Sequence, residues 1–179
     1  RLALVEANSP AAKAGLRAGD TVLEVNETPV ADFVDWAKET AGRGREKLSL
    51  KIFRGGRVMT VDLTLLPEEQ VFNSKVIEDR LGLTVRTLTQ DLAEQLGLSF
   101  YGGYLITKVA DRSPAAAVGL EAGAVIQRVD DSQPQSLMAF ARDIHGREAN
   151  DSVRLSVVWE IRRGAFIQRR SGVATVKVR

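Results

Sequence analysis

The sequence contains no cysteine. That excludes disulfide scaffolds, cysteine nucleophiles and thiolate metal sites, and it fits an oxidising compartment. Histidine occurs once, as His145. A Ser-His-Asp arrangement needs a histidine base, and this one stands alone near the end of a predicted helix, where it reads as a helix-end residue. No Gly-x-Ser-Gly-Gly or Gly-x-Ser-x-Gly context surrounds any serine. Asp130-Asp131 is too small a carboxylate group for a metal site and reads as a turn. Gly102-Gly103 is not followed by Gly-Lys-Ser/Thr, so it is no phosphate loop. No apolar run is long enough to span a bilayer, and no signal-peptide pattern is visible. Charge of one sign is also missing. Lysine and arginine number 25 against 23 acidic residues, and a net charge of +2 gives no basis for nucleic acid as the main partner. Arg162, Arg163, Arg169 and Arg170 cluster, and read as a solvated hairpin. The chain starts at Arg1 and enters an apolar stretch at once, so it reads as a piece of a longer protein.

What the sequence does contain is a repeat. Ser9-Pro10-Ala11-Ala12 through Gly15-Leu16 and Ala18-Gly19 returns as Ser113-Pro114-Ala115-Ala116 through Gly119-Leu120 and Ala122-Gly123. Between residues 9–26 and 113–130, nine of eighteen positions are identical without a gap, at an offset of 104. That offset exceeds a solenoid repeat and suits a small domain, so the chain reads as two copies of one module. In each copy serine is placed to N-cap a short helix, proline sits at its first position, and glycine ends it. A strand follows, Thr21–Val25 or Val125–Val129. A longer helix comes next. Phe33, Trp36, Ala37 and Thr40, and at the same offset Leu137, Phe140, Ala141 and Ile144, recur at i, i+3, i+4 and i+7 and are expected to face the core.

Strands close each copy. Leu48, Leu50 and Ile52 alternate with polar residues, Gly55-Gly56 turns, and Met59, Val61, Leu63 and Leu65 alternate again, a hairpin pattern. The second copy has Val153, Leu155, Val157 and Trp159 and a longer basic return, with Gly164 and Gly172 as candidate turns. Ala124 stands where the first copy has Asp20, which weakens the turn chemistry there. Pro67 and Glu68-Glu69-Gln70 argue for a linker, although Val71, Phe72, Val76 and Ile77 give it apolar residues that can dock. The second copy carries extra sequence: a loop and strand from Leu81 to Leu88, then a helix from Gln90 to Leu96, capped by Thr89 and stopped by Gly97. The first copy lacks a counterpart of Leu81–Gly103.

This order of Leu81-Gly82-Leu83, strand, short helix, Gly102-Gly103, strand, Ser-Pro-Ala-Ala and amphipathic helix resembles a bacterial PDZ domain. It looks most like the tandem PDZ modules of the high-temperature-requirement (HtrA/Deg) serine proteases. Similar units also occur in site-2-type and C-terminal processing proteases. The resemblance implies an α+β, mainly β fold: two PDZ-like, partly open β-barrels or sandwiches, each with one short and one longer helix. The expected division is a first domain over 1–66, without its carboxylate-binding loop and first strand, a linker over 67–79, and a complete second domain over 80–179.

The resemblance also implies peptide binding by strand addition. Backbone N–H groups of Leu81, Gly82 and Leu83 are expected to receive a terminal carboxylate, with Arg80 as a possible charged contact. The strand Leu83–Arg86 and the helix over 135–145 are expected to wall the groove. Leu83, Val85, Leu137, Ala141 and Ile144 would line it, with Met138 and His145 as the rotated alternative. The partners implied are C-terminal or extended peptides of unfolded proteins and an upstream protease domain. A homo-oligomer is compatible, because the first copy exposes a strand edge. No nucleic acid, membrane contact, metal or cofactor is expected. No catalytic residue is assigned, so the chain itself is read as no enzyme and its parent as a serine endopeptidase of the bacterial envelope or periplasm. The alternative is an oligomerisation or assembly module with an occluded groove, occupied by a neighbouring segment or blocked by its own side chains.

Overall fold

Ser9 shows how the repeated motif works. Its hydroxyl accepts the N–H of Ala12 at 3.1 Å, Pro10 follows, and one turn of helix forms, α1 (Pro10–Lys13). Gly15 reverses the chain at φ +87°, a conformation that suits glycine, and Leu16 turns into the core. The structure is a computed structural model and describes residues 1–7, 9–163 and 166–179. Strands β1 (Thr21–Val25) and β2 (Thr28–Pro29) come next, then α2 (Phe33–Thr40), β3 (Lys47–Arg54) and β4 (Arg57–Thr64). They form a four-stranded sheet in the order β2-β1-β3-β4. The β3–β4 hairpin runs in register from Lys47 opposite Thr64 to Arg54 opposite Arg57. Gly55 and Gly56 close it, both at positive φ, as a two-residue turn matched to strand twist requires. Leu48, Leu50 and Ile52 point to one face and are fully buried with Leu16, Val25 and Leu63. A short helix, α3 (Glu68–Val71), leads out of this unit.

The second unit begins with α4 (Ser74–Leu81), capped by the Asn73 side chain on the Lys75 N–H. It continues through β5 (Leu83–Thr87), α5 (Gln90–Leu96), β6 (Tyr104–Val109), α6 (Pro114–Ala117), β7 (Val125–Val129), α7 (Leu137–His145), β8 (Ser152–Arg163) and β9 (Phe166–Lys177). The sheet order is β5-β6-β7-β8-β9, antiparallel throughout, with β5 at one edge. Its main core joins Leu83, Val85, Ile106, Ile126, Leu155 and Val176 from the sheet to Phe140, Ala141 and Ile144 of α7. The architecture is therefore mainly β, with two open sheets and short helices.

The second unit repeats hydrogen bonds of the first as well as residues. The Leu2 N–H donates to the Asp20 carbonyl and the Gly19 N–H to that of Leu2, both at 2.8 Å; 104 residues on, Ile106 pairs with Ala124 and Gly123 in the same way and at the same distance. The turn residue Asn26 accepts the Ser49 N–H with its side chain, as Asp130 does with Arg154. Both units carry a bulge at the same place, between Val22 and Glu24 and between Ile126 and Arg128. The Asp20-to-Ala124 change also has a structural counterpart. In the first unit the buried Asp20 carboxylate accepts the Arg17 N–H and both Nε and Nη2 of Arg54. Thr21 stands opposite Phe53 in the first unit and Val125 opposite Val158 in the second, so the residue that follows, Arg54 by Asp20, is matched by Trp159 by Ala124. An ion pair is thus exchanged for two apolar residues, an exchange that proteins tolerate when both partners change together.

Several sequence expectations differ from the structure. The compact units run Arg1–Gln70 and Val71–Arg179, so the stretch read as a linker over 67–79 splits between them. Most of it is helix, because Phe72, Val76 and Ile77 find an apolar surface on the second unit and pack against its core. The stripe on α2 is covered only in part: Trp36 packs half-buried against the first unit's core, Ala37 and Thr40 are half-buried, and Phe33 is 79% exposed. The equivalent Phe140, Ala141 and Ile144 are fully buried, in a unit that has β5 and α4 and so has something to cover them. Gly172 is no turn. It lies within β9 opposite Val157, beside the Trp159 ring. Gly164 lies outside the described residues.

Candidate functional site

The predicted groove elements belong to the second unit. β5 pairs only with β6, from Leu83 opposite Val109 to Thr87 opposite Tyr104, so its other edge has no strand partner among the described residues. Leu83 and Val85 point to the core face, 0% and 2% exposed, with the half-buried Thr84 between them and Arg86 exposed beyond. α7 begins at Leu137, two residues later than the expected start at 135, and the Ser136 hydroxyl before it accepts the Ala139 N–H. Leu137 is half-buried against the core, while Ala141 and Ile144 have no exposure. This fixes the helix rotation. Phe140, Ala141 and Ile144 form the inward side, and Met138 and His145 are half-buried at its margin.

The Leu81-Gly82-Leu83 segment is built differently from the expectation. It is not a free loop of three amides. Leu81 is the last residue of α4, and its amide belongs to the helix ladder. Gly82 is the left-handed C-cap, φ +79°, and its N–H donates to the Glu78 carbonyl at 2.8 Å. The Gly82 carbonyl accepts the Ala110 N–H at 2.8 Å, which anchors the start of β5 beside the end of β6. A Cβ on Gly82 would stand 2.5 Å from the Ser113 Oγ, so the N-cap of the second Ser-Pro motif packs directly under this glycine. Arg80 is not a free surface cation. It is half-buried and its guanidinium donates to the Arg147 carbonyl.

Two arginines near this segment escaped the sequence reading. Arg147 donates to Asp130 at 2.6 Å and to Asp143 at 2.8 Å. Partial burial pushes the Asp130 carboxyl up, but the Arg154 amide and the Arg147 guanidinium outweigh it and hold the group below its ordinary value. Arg179 donates its amide to the Arg80 carbonyl, and its Nη2 lies 3.2 Å from where a Cβ on Gly82 would be. Nothing local in the sequence marks Arg179, because the β8–β9 hairpin brings it to the site from the far end of the unit.

A groove wall of helix and edge strand, a glycine turn at its end, and a Ser-Pro helix beneath that turn make up the site's geometry. A family model described as PDZ domain matches residues 2–54. A probable periplasmic serine endoprotease DegP-like from Pseudomonas putida is 32% identical over 167 residues, covering 88% of this chain and 34% of that protein. The periplasmic serine endoprotease DegP of Salmonella typhimurium is 32% identical over 140 residues, covering 76% of this chain and 27% of that protein. The chain is a PDZ region of the HtrA/Deg kind. It spans about a third of the length of the curated relatives it matches. Among solved structures, an HtrA-type protease AlgW with decapeptide aligns with a TM-score of 0.46 and 18% identity over 78% of this chain and 52% of that one.

Among its described residues the first PDZ unit has no strand equivalent to β5. Its Leu2–Val5 stretch, the counterpart of β6, carries no strand pairing on the side where β5 sits in the second unit. Leu4 is 74% exposed and Val34 57%. Among the described residues, no group of three or more His, Cys, Asp or Glu could hold a metal ion. No helix among them is long and apolar enough to cross a membrane.

Proposed function

We propose that this chain is the peptide-binding part of a periplasmic serine endoprotease of the HtrA/Deg type. Its second PDZ unit takes extended or C-terminal segments of unfolded proteins as an added strand on β5. The single observation that supports this reading best is the edge position of β5 beside α7. A strand with one neighbour keeps half of its backbone donors and acceptors for another chain, and alternate side chains of that chain then meet apolar pockets. On this reading Leu83, Val85, Leu137, Ala141 and Ile144 read the ligand's apolar side chain, and the Leu81–Leu83 amides its carboxylate, with Arg80 nearby. The periplasmic assignment follows the relatives, which are periplasmic endoproteases by name. The chain's part is capture; hydrolysis belongs to the relatives' wider protein.

The test is a titration with a labelled ten-residue peptide ending in apolar residues, with a free carboxylate and with an amidated end. Saturable binding that the amide weakens at least tenfold supports capture. No binding by any form of the chain refutes it. A second reading, an assembly module with a self-filled groove, draws on the complete burial of Leu81, Leu83, Ala141 and Ile144. It calls for a concentration-dependent dimer in sedimentation and no peptide binding. Association through the open edge of the first unit would give the same dimer, and truncating Leu4 and Val34 to serine would abolish it only in that case.

A further inference from the structure

α4 is laid against both β5 and α7, the two elements that wall the proposed groove. Ile77 has no exposure and belongs to the same buried cluster as Leu81, Leu83, Val85, Ala141 and Ile144. The helix therefore covers the side chains that a ligand's apolar residue would need. It also holds the amides that a carboxylate would need. Leu81 is inside the helix, and Gly82 donates to Glu78 as its C-cap. Closed in this way, the second unit has both halves of its terminal-residue pocket occupied by its own chain.

The helix is nevertheless a local element. Eight residues are too few to be stable as an isolated helix, so α4 depends on packing. Its outward side is polar. Lys75 reaches Glu78 at 3.6 Å and Asp79 at 2.5 Å, and exposed pairs of this kind contribute little. Its docking rests on Ile77 and Leu81, and on Phe72 just before it. The Phe72 ring meets the His145 ring edge-on at 5.3 Å and lies beneath the Arg142 guanidinium, 5.2 Å from the ring centre. The closed arrangement also leaves donors unmatched. Arg80 and Arg147 each bury an Nε without an acceptor among the described residues, which costs stability that an incoming anion could restore.

We propose that α4 is a built-in gate on the peptide groove. In the resting chain it withholds the Leu81 and Gly82 amides and lays Ile77 over the apolar pocket. Its last turn unwinds as a ligand with a free carboxylate and an apolar terminal side chain takes over both contacts. The inference rests on the peptide-binding reading above and assigns that site its regulation. A gate of this kind lowers the apparent affinity by the fraction of open molecules, so any change that weakens α4 docking without touching β5 or α7 tightens binding.

The test uses the whole chain and the same free-carboxylate and amidated ten-residue peptides. Lys75→Gly changes an exposed position and lowers only helix propensity and surface pairing, and it should tighten binding about threefold. Ile77→Ala removes the buried anchor and should tighten it about tenfold or more. If Ile77→Ala fails to fold, Lys75→Gly still decides. In the bound state, the carbon shifts of residues 78–81 should lose their helical values. Equal affinity of wild type and Lys75→Gly, with the last turn of α4 still helical when peptide is bound, overturns the gate and leaves peptide capture standing. Tightening by the variants for the amidated peptide as much as for the free one overturns the amide handover. Absence of binding in wild type and in both variants overturns the peptide reading itself, and the gate with it.

Discussion

Gly82→Ala tests whether the turn between α4 and β5 is built as described. Gly82 sits at φ +79°, where a Cβ costs about 1–2 kcal/mol by itself. The new methyl would also enter the space of Ser113, 2.5 Å from its Oγ, with the Arg179 guanidinium 3.2 Å away. Overpacking of that kind typically costs about 1–3 kcal/mol. The sum, about 2–5 kcal/mol, is large against the total of about 5–15 kcal/mol for an ordinary domain. The chain has two tryptophans, one in each unit, so Trp36→Phe leaves Trp159 as the reporter of the second unit in urea unfolding. The clash has an internal control. Ser113→Gly removes the obstructing atoms, and glycine as an N-cap costs only a few tenths of a kcal/mol relative to serine. The double variant should therefore be more stable than Gly82→Ala alone by about 1–3 kcal/mol. A loss under about 0.5 kcal/mol in the single variant, or no recovery in the double, would refute the packing of Gly82 on Ser113.

Asp20 gives the first unit a pH dependence. The Arg54 guanidinium, aided by the Arg17 amide, outweighs burial and holds this carboxyl below its ordinary value. A depressed carboxyl stabilises the fold above its unfolded value near 3.9, and the benefit fades as pH falls through the lower native value. The urea midpoint read from Trp36 should therefore drop below about pH 4 in the wild type and much less in Asp20→Asn, which should itself be less stable at pH 7 by about 3 kcal/mol. A flat wild-type profile from pH 5 to pH 2 would contradict this. Phe33→Ser should change stability by less than about 0.5 kcal/mol, since that ring is 79% exposed, whereas Leu137→Ser at the equivalent position should cost about 1–2 kcal/mol. Equal costs would show that the two long helices are covered alike. Paired urea melts of the four single-tryptophan chains give the comparison.

Much of this molecule was legible in its sequence because local chemistry and tertiary packing agree there. Ser9 and Ser113 cap the helices that their Ser-Pro contexts require, Thr89 and Gly97 bound α5, and Gly55-Gly56 turns the hairpin. The amphipathic stripe on α7 reports burial correctly, and the same stripe on α2 does so only in part. Periodicity records which side of a helix can be covered, but the strand that does the covering lies elsewhere in the fold. The segment over 67–79 is ambiguous in the sequence for a related reason. Its proline and acidic residues signal a connection, and only tertiary contact turns Asn73–Leu81 into a docked helix. The motif Leu81-Gly82-Leu83 looks the same in the sequence whether its amides face outward or end a helix, as they do at Leu81 and Gly82. Arg179 carries no sequence signal because the β8–β9 hairpin delivers it, and Arg147, just past α7, meets Asp130 only through tertiary packing.

Backbone amide shifts followed during titration with the free-carboxylate peptide examine the β5 edge most directly. The account predicts that the largest changes fall on residues 81–87 and 137–145, with Gly82 among them, and that amidation of the peptide suppresses them. Saturable binding whose shifts lie elsewhere in the chain, leaving β5 and α7 unmoved, would contradict it.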